Sequence, residues 1–74
     1  MYKRKIDMDI SSKVRKRIKV IRLNKKLSQG DIAKILAVHS TYISQIERGI
    51  RNPTLRNIER IAKALGVPPS KLLK

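Results

Sequence analysis

Twenty residues, from Gln29 to Arg48, carry two short apolar patterns with a break in phase near Ala37. Ile32, Ala33 and Leu36 make the first at helical spacing, and Val38, Ile43 and Ile46 make the second. The pattern predicts two short helices meeting at a sharp turn. Ala33 is small enough to let the second helix cross the first closely, while Val38, Ile43 and Ile46 hold that helix from one side. Its other side then carries His39, Ser40, Thr41, Ser44, Gln45 and Arg48. Short polar side chains at the start of a well-anchored helix suit the base edges of a DNA major groove, where donors and acceptors must reach a short distance with little freedom.

Charge points to the same class of partner. The 74 residues carry a formal net charge of +14, which implies a polyanion, and nucleic acid is the commonest one. Residues 1–26 hold eleven Lys or Arg against Asp7 and Asp9, a net +9, and residues 50–74 hold six against Glu59, a net +5. The segment 27–49 balances at zero. A neutral reading unit between two basic flanks is the distribution expected when the flanks grip phosphates and the centre reads bases. With no Cys and a single His, neither a disulfide framework nor an ordinary zinc site is available. Five acidic residues, none paired in a catalytic spacing, leave little for acid–base work, so no enzyme and no cofactor are expected. No apolar run approaches a membrane span or a signal peptide, and a cytoplasmic protein is the expectation.

Taken in order, residues 1–9 show no clear periodicity and contain the basic run Lys3, Arg4, Lys5. They read as a flexible basic arm, free to wrap DNA or simply frayed, ahead of a single domain at 10–74. A first helix is predicted from a cap at Ser11 or Ser12 to about Lys25, with Val14, Ile18 and Ile21 inward and Lys13, Arg15, Lys16, Lys19 and Lys26 in water. Ser28 caps the second helix, with Asp31 three residues on completing a capping box. The third helix runs from about Ser40 to Glu47 and stops at Gly49, whose backbone freedom suits a helix end. Thr41, Ser44 and Gln45 are the candidate base contacts; Arg48, Arg51 and Asn52 are candidate phosphate contacts beside them. Thr54 caps a fourth helix with the stripe Leu55, Ile58, Ile61, Ala62, Leu65, ended by Gly66. A last turn follows Pro68 and Pro69, with Ser70 as its cap.

The twenty-residue unit, extended through L-S-Q at 27–29, I-E-R-G at 46–49 and I-A-K-A-L-G-V at 61–67, resembles the helix-turn-helix of the lambda-repressor/Cro (Xre) family. The strings I-R-L-N-K-K-L-S-Q at 21–29 and T-Y-I-S-Q-I-E-R-G-I-R-N-P at 41–53 are similar to the small controller proteins of restriction-modification systems. The resemblance implies an all-α, compact five-helix domain and a homodimeric regulator of transcription on a near-palindromic operator. For a controller it further implies autoregulation, with RNA polymerase as a partner when activating. A phage or plasmid repressor, and an antitoxin or adaptor built on the same fold, are the alternative readings. By family position Arg22 and Glu47 form a structural ion pair, Gln29 meets a phosphate from the start of its helix, and Ser40 faces the groove. Tyr42 lies along the DNA backbone or simply packs on the surface. Many members have Gly where this chain has Ala37, a departure that costs about 1 kcal/mol if the backbone there is left-handed.

The apolar residues of the first four helices already suffice for a core, so Val67, Pro68, Leu72 and Leu73 are a surplus. A two-fold axis past this segment would bury them in a dimer interface; the alternative is that Leu72 completes the core and only Leu73 is exposed.

Overall fold

Four of the five helices end in the same way, and that repeated stop gives the chain its short connections. The structure, a computed structural model, describes the backbone of residues 2–74 and the side chains of residues 12–74. The elements are α1 (Tyr2–Asn24), α2 (Gln29–Leu36), α3 (Ser40–Glu47), α4 (Leu55–Leu65) and α5 (Ser70–Leu73), with no strand among the described residues. After each of α1 to α4 one residue takes a left-handed backbone: Lys26 and Ala37 at φ 59°, Gly49 at φ 79° and Gly66 at φ 75°. In each case the next N–H reaches back five residues, as Leu27 to the Arg22 carbonyl (3.0 Å) and Val38 to that of Ala33 (2.9 Å). Carbonyls left over at the helix end are thereby satisfied and the chain reverses within a few residues.

The helix starts follow the side-chain chemistry. Ser28 Oγ accepts from the Asp31 N–H at 2.9 Å while Asp31 Oδ2 accepts from the Ser28 N–H at 2.8 Å, the reciprocal capping box expected for α2. Those bonds, the backbone one first, hold the Asp31 carboxyl below its ordinary range. Thr54 caps α4 by accepting from the Asn57 N–H at 3.1 Å. Two expected starts differ. α1 begins at Tyr2, with Ser11 and Ser12 inside the helix, because residues 2–10 contain no Gly or Pro to stop it. Whether Lys3, Arg4 and Lys5 act as an arm on DNA lies outside the described side chains. In α5 the cap is Pro69 and Ser70 is already helical.

The core is assembled from every helix: Val14 and Ile18 of α1, Ile32, Ala33 and Leu36 of α2, Ile43 and Ile46 of α3, Ile58, Ile61, Ala62 and Leu65 of α4, and Leu72 of α5. Ile21, Leu27, Val38, Tyr42 and Val67 pack around it, half-buried. Ala33 is buried in the core, and α2 packs directly against α3. Leu72 is 0% exposed and Leu73 41% exposed, so of the expected surplus Leu72 belongs to the monomer's own core and cannot form a dimer surface. Adjacent residues on a helix point about 100° apart, and one buried face of a single turn holds only one of the two leucines.

Candidate nucleic-acid interface

The position of α3 is set by an ion pair beneath it. Arg22 of α1 donates from Nε to Glu47 Oε2 at 2.7 Å and from Nη2 to Glu47 Oε1 at 2.9 Å, a two-pronged grip on the last residue of α3. Both residues are buried. Arg22 Nη1 also donates to the Leu27 carbonyl at 2.9 Å, and Gln29 Nε2 donates to Glu47 Oε1 at 3.0 Å. Two desolvated charges are tolerable only when their remaining hydrogen-bonding capacity is met, and here α1, the α1–α2 turn and α2 all contribute. The bond to Glu47 raises the Arg22 pKa against the opposing effect of burial. The family-based assignment of Arg22 and Glu47 as partners is therefore seen directly. Gln29, expected at a phosphate, has its side-chain amide drawn inward to Glu47, which leaves its backbone N–H at the first turn of α2 as the outward donor.

A second arginine of α1 was expected in water but is half-buried against the end of α3. Arg15 Nη1 donates to the Glu47 backbone carbonyl at 3.4 Å, a cation placed on the negative end of the helix. A Cβ at Gly49 would lie 3.1 Å from Arg15 Nε, so glycine there both eases the left-handed φ and spares the arginine packed on it a shift. Arg15, Arg48, Gly49, Arg51 and Asn52 line a shallow depression of about 280 Å³ beside the C-terminal end of α3. Three guanidinium-bearing residues around one concavity suit a phosphate.

The outer face of α3 carries the polar set read from the sequence. Ser40 and Thr41 are exposed, Ser44 and Gln45 half-exposed and Arg48 exposed, while Ile43 and Ile46 point the opposite way into the core. His39 stands at the start of α3 without capping it, because its side chain makes no hydrogen bond to the first turn. A groove of about 650 Å³ runs along this face between His39, Thr41, Tyr42, Gln45, Arg51 and Asn57. Within it Asn57 Nδ2 donates to the Tyr42 hydroxyl oxygen, and the Arg51 guanidinium lies over the Tyr42 ring, 5.4 Å from its centre. Arg51 Nε donates to Gln45 Oε1 at 3.1 Å. At the other end of α2, Arg60 Nη2 donates to the Leu36 carbonyl at 2.8 Å, fixing the turn that launches α3.

Of the residues expected to meet DNA, Thr41, Tyr42, Gln45 and Arg51 share one groove and Arg48, Arg51 and Asn52 share the neighbouring depression. Arg15, Asn57 and Arg60 were not singled out. Arg15 lies seven residues before Arg22, two helical turns along the same face, and that spacing was its visible signal. Among the described residues no cluster of His, Cys, Asp or Glu is arranged to hold a metal, and no helix is long and apolar enough to cross a membrane.

Compared with known proteins, the chain matches the helix-turn-helix family over residues 18–72. It is similar to the control protein C.BamHI of Bacillus amyloliquefaciens, 53% identical over 58 residues that make up 77% of this chain and 72% of that protein. Among solved structures, the restriction-modification controller protein C.AhdI from Aeromonas hydrophila superposes with a TM-score of 0.79 at 35% identity, over 84% of this chain and 94% of that one. The restriction-modification controller protein C.Esp1396I, solved as a tetramer in complex with its natural 35 base-pair operator, gives a TM-score of 0.75 at 40% identity over 88% of this chain and 96% of that one.

Proposed function

Because this chain belongs to the helix-turn-helix family, we propose that it is a sequence-specific DNA-binding regulator of transcription, the autoregulating controller of a restriction-modification operon, acting as a homodimer on a near-palindromic operator. The observation that carries this reading is the division of α3 into a locked inner face and an exposed polar outer one. Ile43, Ile46 and Glu47 are buried, while Ser40 and Thr41 are exposed and Ser44 and Gln45 half-exposed on the other side, with Thr41 and Gln45 lining the groove there. Those four read bases; Tyr42, Arg48, Arg51, Asn52 and the first-turn N–H of Gln29 hold phosphates on either side. The 53% identity with C.BamHI favours the controller over a phage repressor or an antitoxin. RNA polymerase is the further partner of an activating controller, and the cytoplasm its compartment. No catalytic role is proposed: one His and five acidic residues leave little for acid–base work.

Dimerisation is assigned to the exposed remainder of the C-terminal segment, Leu73 and Pro68 with the half-buried Val67 beside them. A two-fold axis there would set the two α3 helices about 34 Å apart, one turn of DNA. Sedimentation at micromolar concentration should show a dimer that Leu73→Asp converts to monomer; a monomeric wild type, or a dimeric variant, defeats this placement.

The DNA reading is tested by titrating the purified chain onto its preferred duplex at several salt concentrations. Arg48 and Arg51 from each of two subunits, helped by the basic flanks of a chain with net charge +14, predict a slope of log affinity against log salt steeper than about −4, at roughly −0.9 per neutralised phosphate. A flat plot would remove the electrostatic account.

A further inference from the structure

Gln45 and Arg51 are tied to each other twice. The Ile50 and Arg51 backbone N–H groups both donate to the Gln45 backbone carbonyl, at 2.9 and 3.2 Å, so the loop after α3 is anchored on the same residue that the Arg51 side chain grips. That grip runs from Arg51 Nε to Gln45 Oε1 at 3.1 Å, and the guanidinium is steadied from behind by the Tyr42 ring, whose hydroxyl is in turn held by Asn57 on α4. An arginine has donors and no acceptor, so the branch of the Gln45 amide that faces it is the carbonyl. The NH2 branch is the one left for the groove in front.

A free glutamine is the ordinary partner of adenine because it accepts from N6 and donates to N7 at once. With its carbonyl oriented to Arg51, Gln45 presents its amine outward: adenine N7 can still accept from it, but the N6 amine is left without the acceptor that a free glutamine would supply. Guanine presents two acceptors, O6 and N7, and thymine presents O4, and both match an outward amide. Arg51 spends only its Nε on the contact, so its terminal NH2 groups stay available for a phosphate or a base acceptor beside it.

We propose that Arg51 is a specificity-positioning residue: by holding the Gln45 side-chain carbonyl it makes this position of α3 a donor-only reader, which favours guanine or thymine over adenine at the contacted base. The inference rests on the DNA-reading assignment of the outer face of α3 and adds to it the hydrogen-bond polarity of one position.

The experiment is a base-by-base binding profile. A preferred duplex is selected from a randomised pool, and every single-base variant of it is titrated with wild type, Gln45→Ala and Arg51→Met, the methionine keeping an apolar stem over Tyr42. Gln45→Ala marks the position Gln45 reads by flattening its preference. There the wild type should favour guanine or thymine over adenine by about tenfold. Arg51→Met should weaken all duplexes by a common factor through lost phosphate contact and, in addition, raise adenine at that one position to equal or exceed guanine. A profile that Arg51→Met lowers uniformly overturns the positioning role and leaves the DNA reading intact, as does a wild type that already prefers adenine. No position flattened by Gln45→Ala removes Gln45 from base reading and overturns it too. A chain that selects no duplex at all defeats the DNA reading itself, and this inference with it.

Discussion

The two faces of α3 solve opposite problems within the same eight residues. On the inner face a carboxylate is buried and every hydrogen-bonding partner it needs is supplied by the protein: Arg22 twice and Gln29 once on Glu47. On the outer face Ser40 and Thr41 make no side-chain hydrogen bond among the described residues, and Gln45 makes one. A side chain whose partners are all internal contributes to stability and has nothing left for a ligand; one left unpaired adds little to folding and keeps its capacity for something outside. The difference separates residues that hold the fold from residues free to meet a ligand on one short helix without any reference to its relatives.

The sharpest way to break the comparison is to attack the inner face. Arg22→Met or Glu47→Gln leaves the other member buried without its counter-charge, and each should destabilise the chain by about 3 kcal/mol or more, a large share of what a small domain possesses. The double variant should cost much less than the two singles added together, because no lone charge remains. Thermal melts of the three proteins check this; small and additive losses would mean that the pair is solvated in practice and that α3 is held by Ile43 and Ile46 alone.

An outer-face change should do the reverse. Gln45→Ala is expected to leave the melting curve within about 0.5 kcal/mol of wild type and to weaken the preferred operator by about 1 to 3 kcal/mol, with little effect on unrelated duplex. Equal losses on operator and unrelated DNA would return Gln45 to the phosphate contacts. A lowered melting point would instead make its bond to Arg51 a structural clasp.

The comparison also shows what could be read without coordinates. The inner face was legible because burial imposes a period: Ile32, Ala33 and Leu36, then Ile43 and Ile46, are all buried as their spacing requires. Caps were legible because Ser28, Asp31 and Thr54 act within three residues of themselves. The start of α1 was not, since a helix with no stop signal has no local mark of where it begins and the serines at 11 and 12 only imitate one. Asn57 and Arg60 were missed for another reason. Each acts across the fold, Asn57 on Tyr42 fifteen residues away and Arg60 on Leu36 twenty-four away, and neither local pattern nor charge distinguishes them from solvated neighbours. Leu72 and Leu73 are identical in type, and only the packing of a single turn decides which one is used.

The smallest effect lies in the turn between α2 and α3. Ala37 sits at φ 59° and ψ 44°, a left-handed conformation in which its Cβ crowds the backbone, and its N–H closes the α2 end on the Lys34 carbonyl at 3.2 Å. After α3 and α4 the chain uses Gly49 and Gly66 for the same stop. Ala37→Gly should therefore stabilise the protein, by up to about 1 kcal/mol, the relief of strain being partly offset by the greater freedom of glycine in the unfolded chain. Ala37 is exposed, so no packing is lost with its methyl group. Denaturant melts should show the midpoint rising with the slope unchanged, and operator affinity should stay constant because both faces of α3 keep their positions. A stabilised variant that binds DNA more weakly would show that the strained turn sets the angle of α3, tying the reading face to the folding face after all.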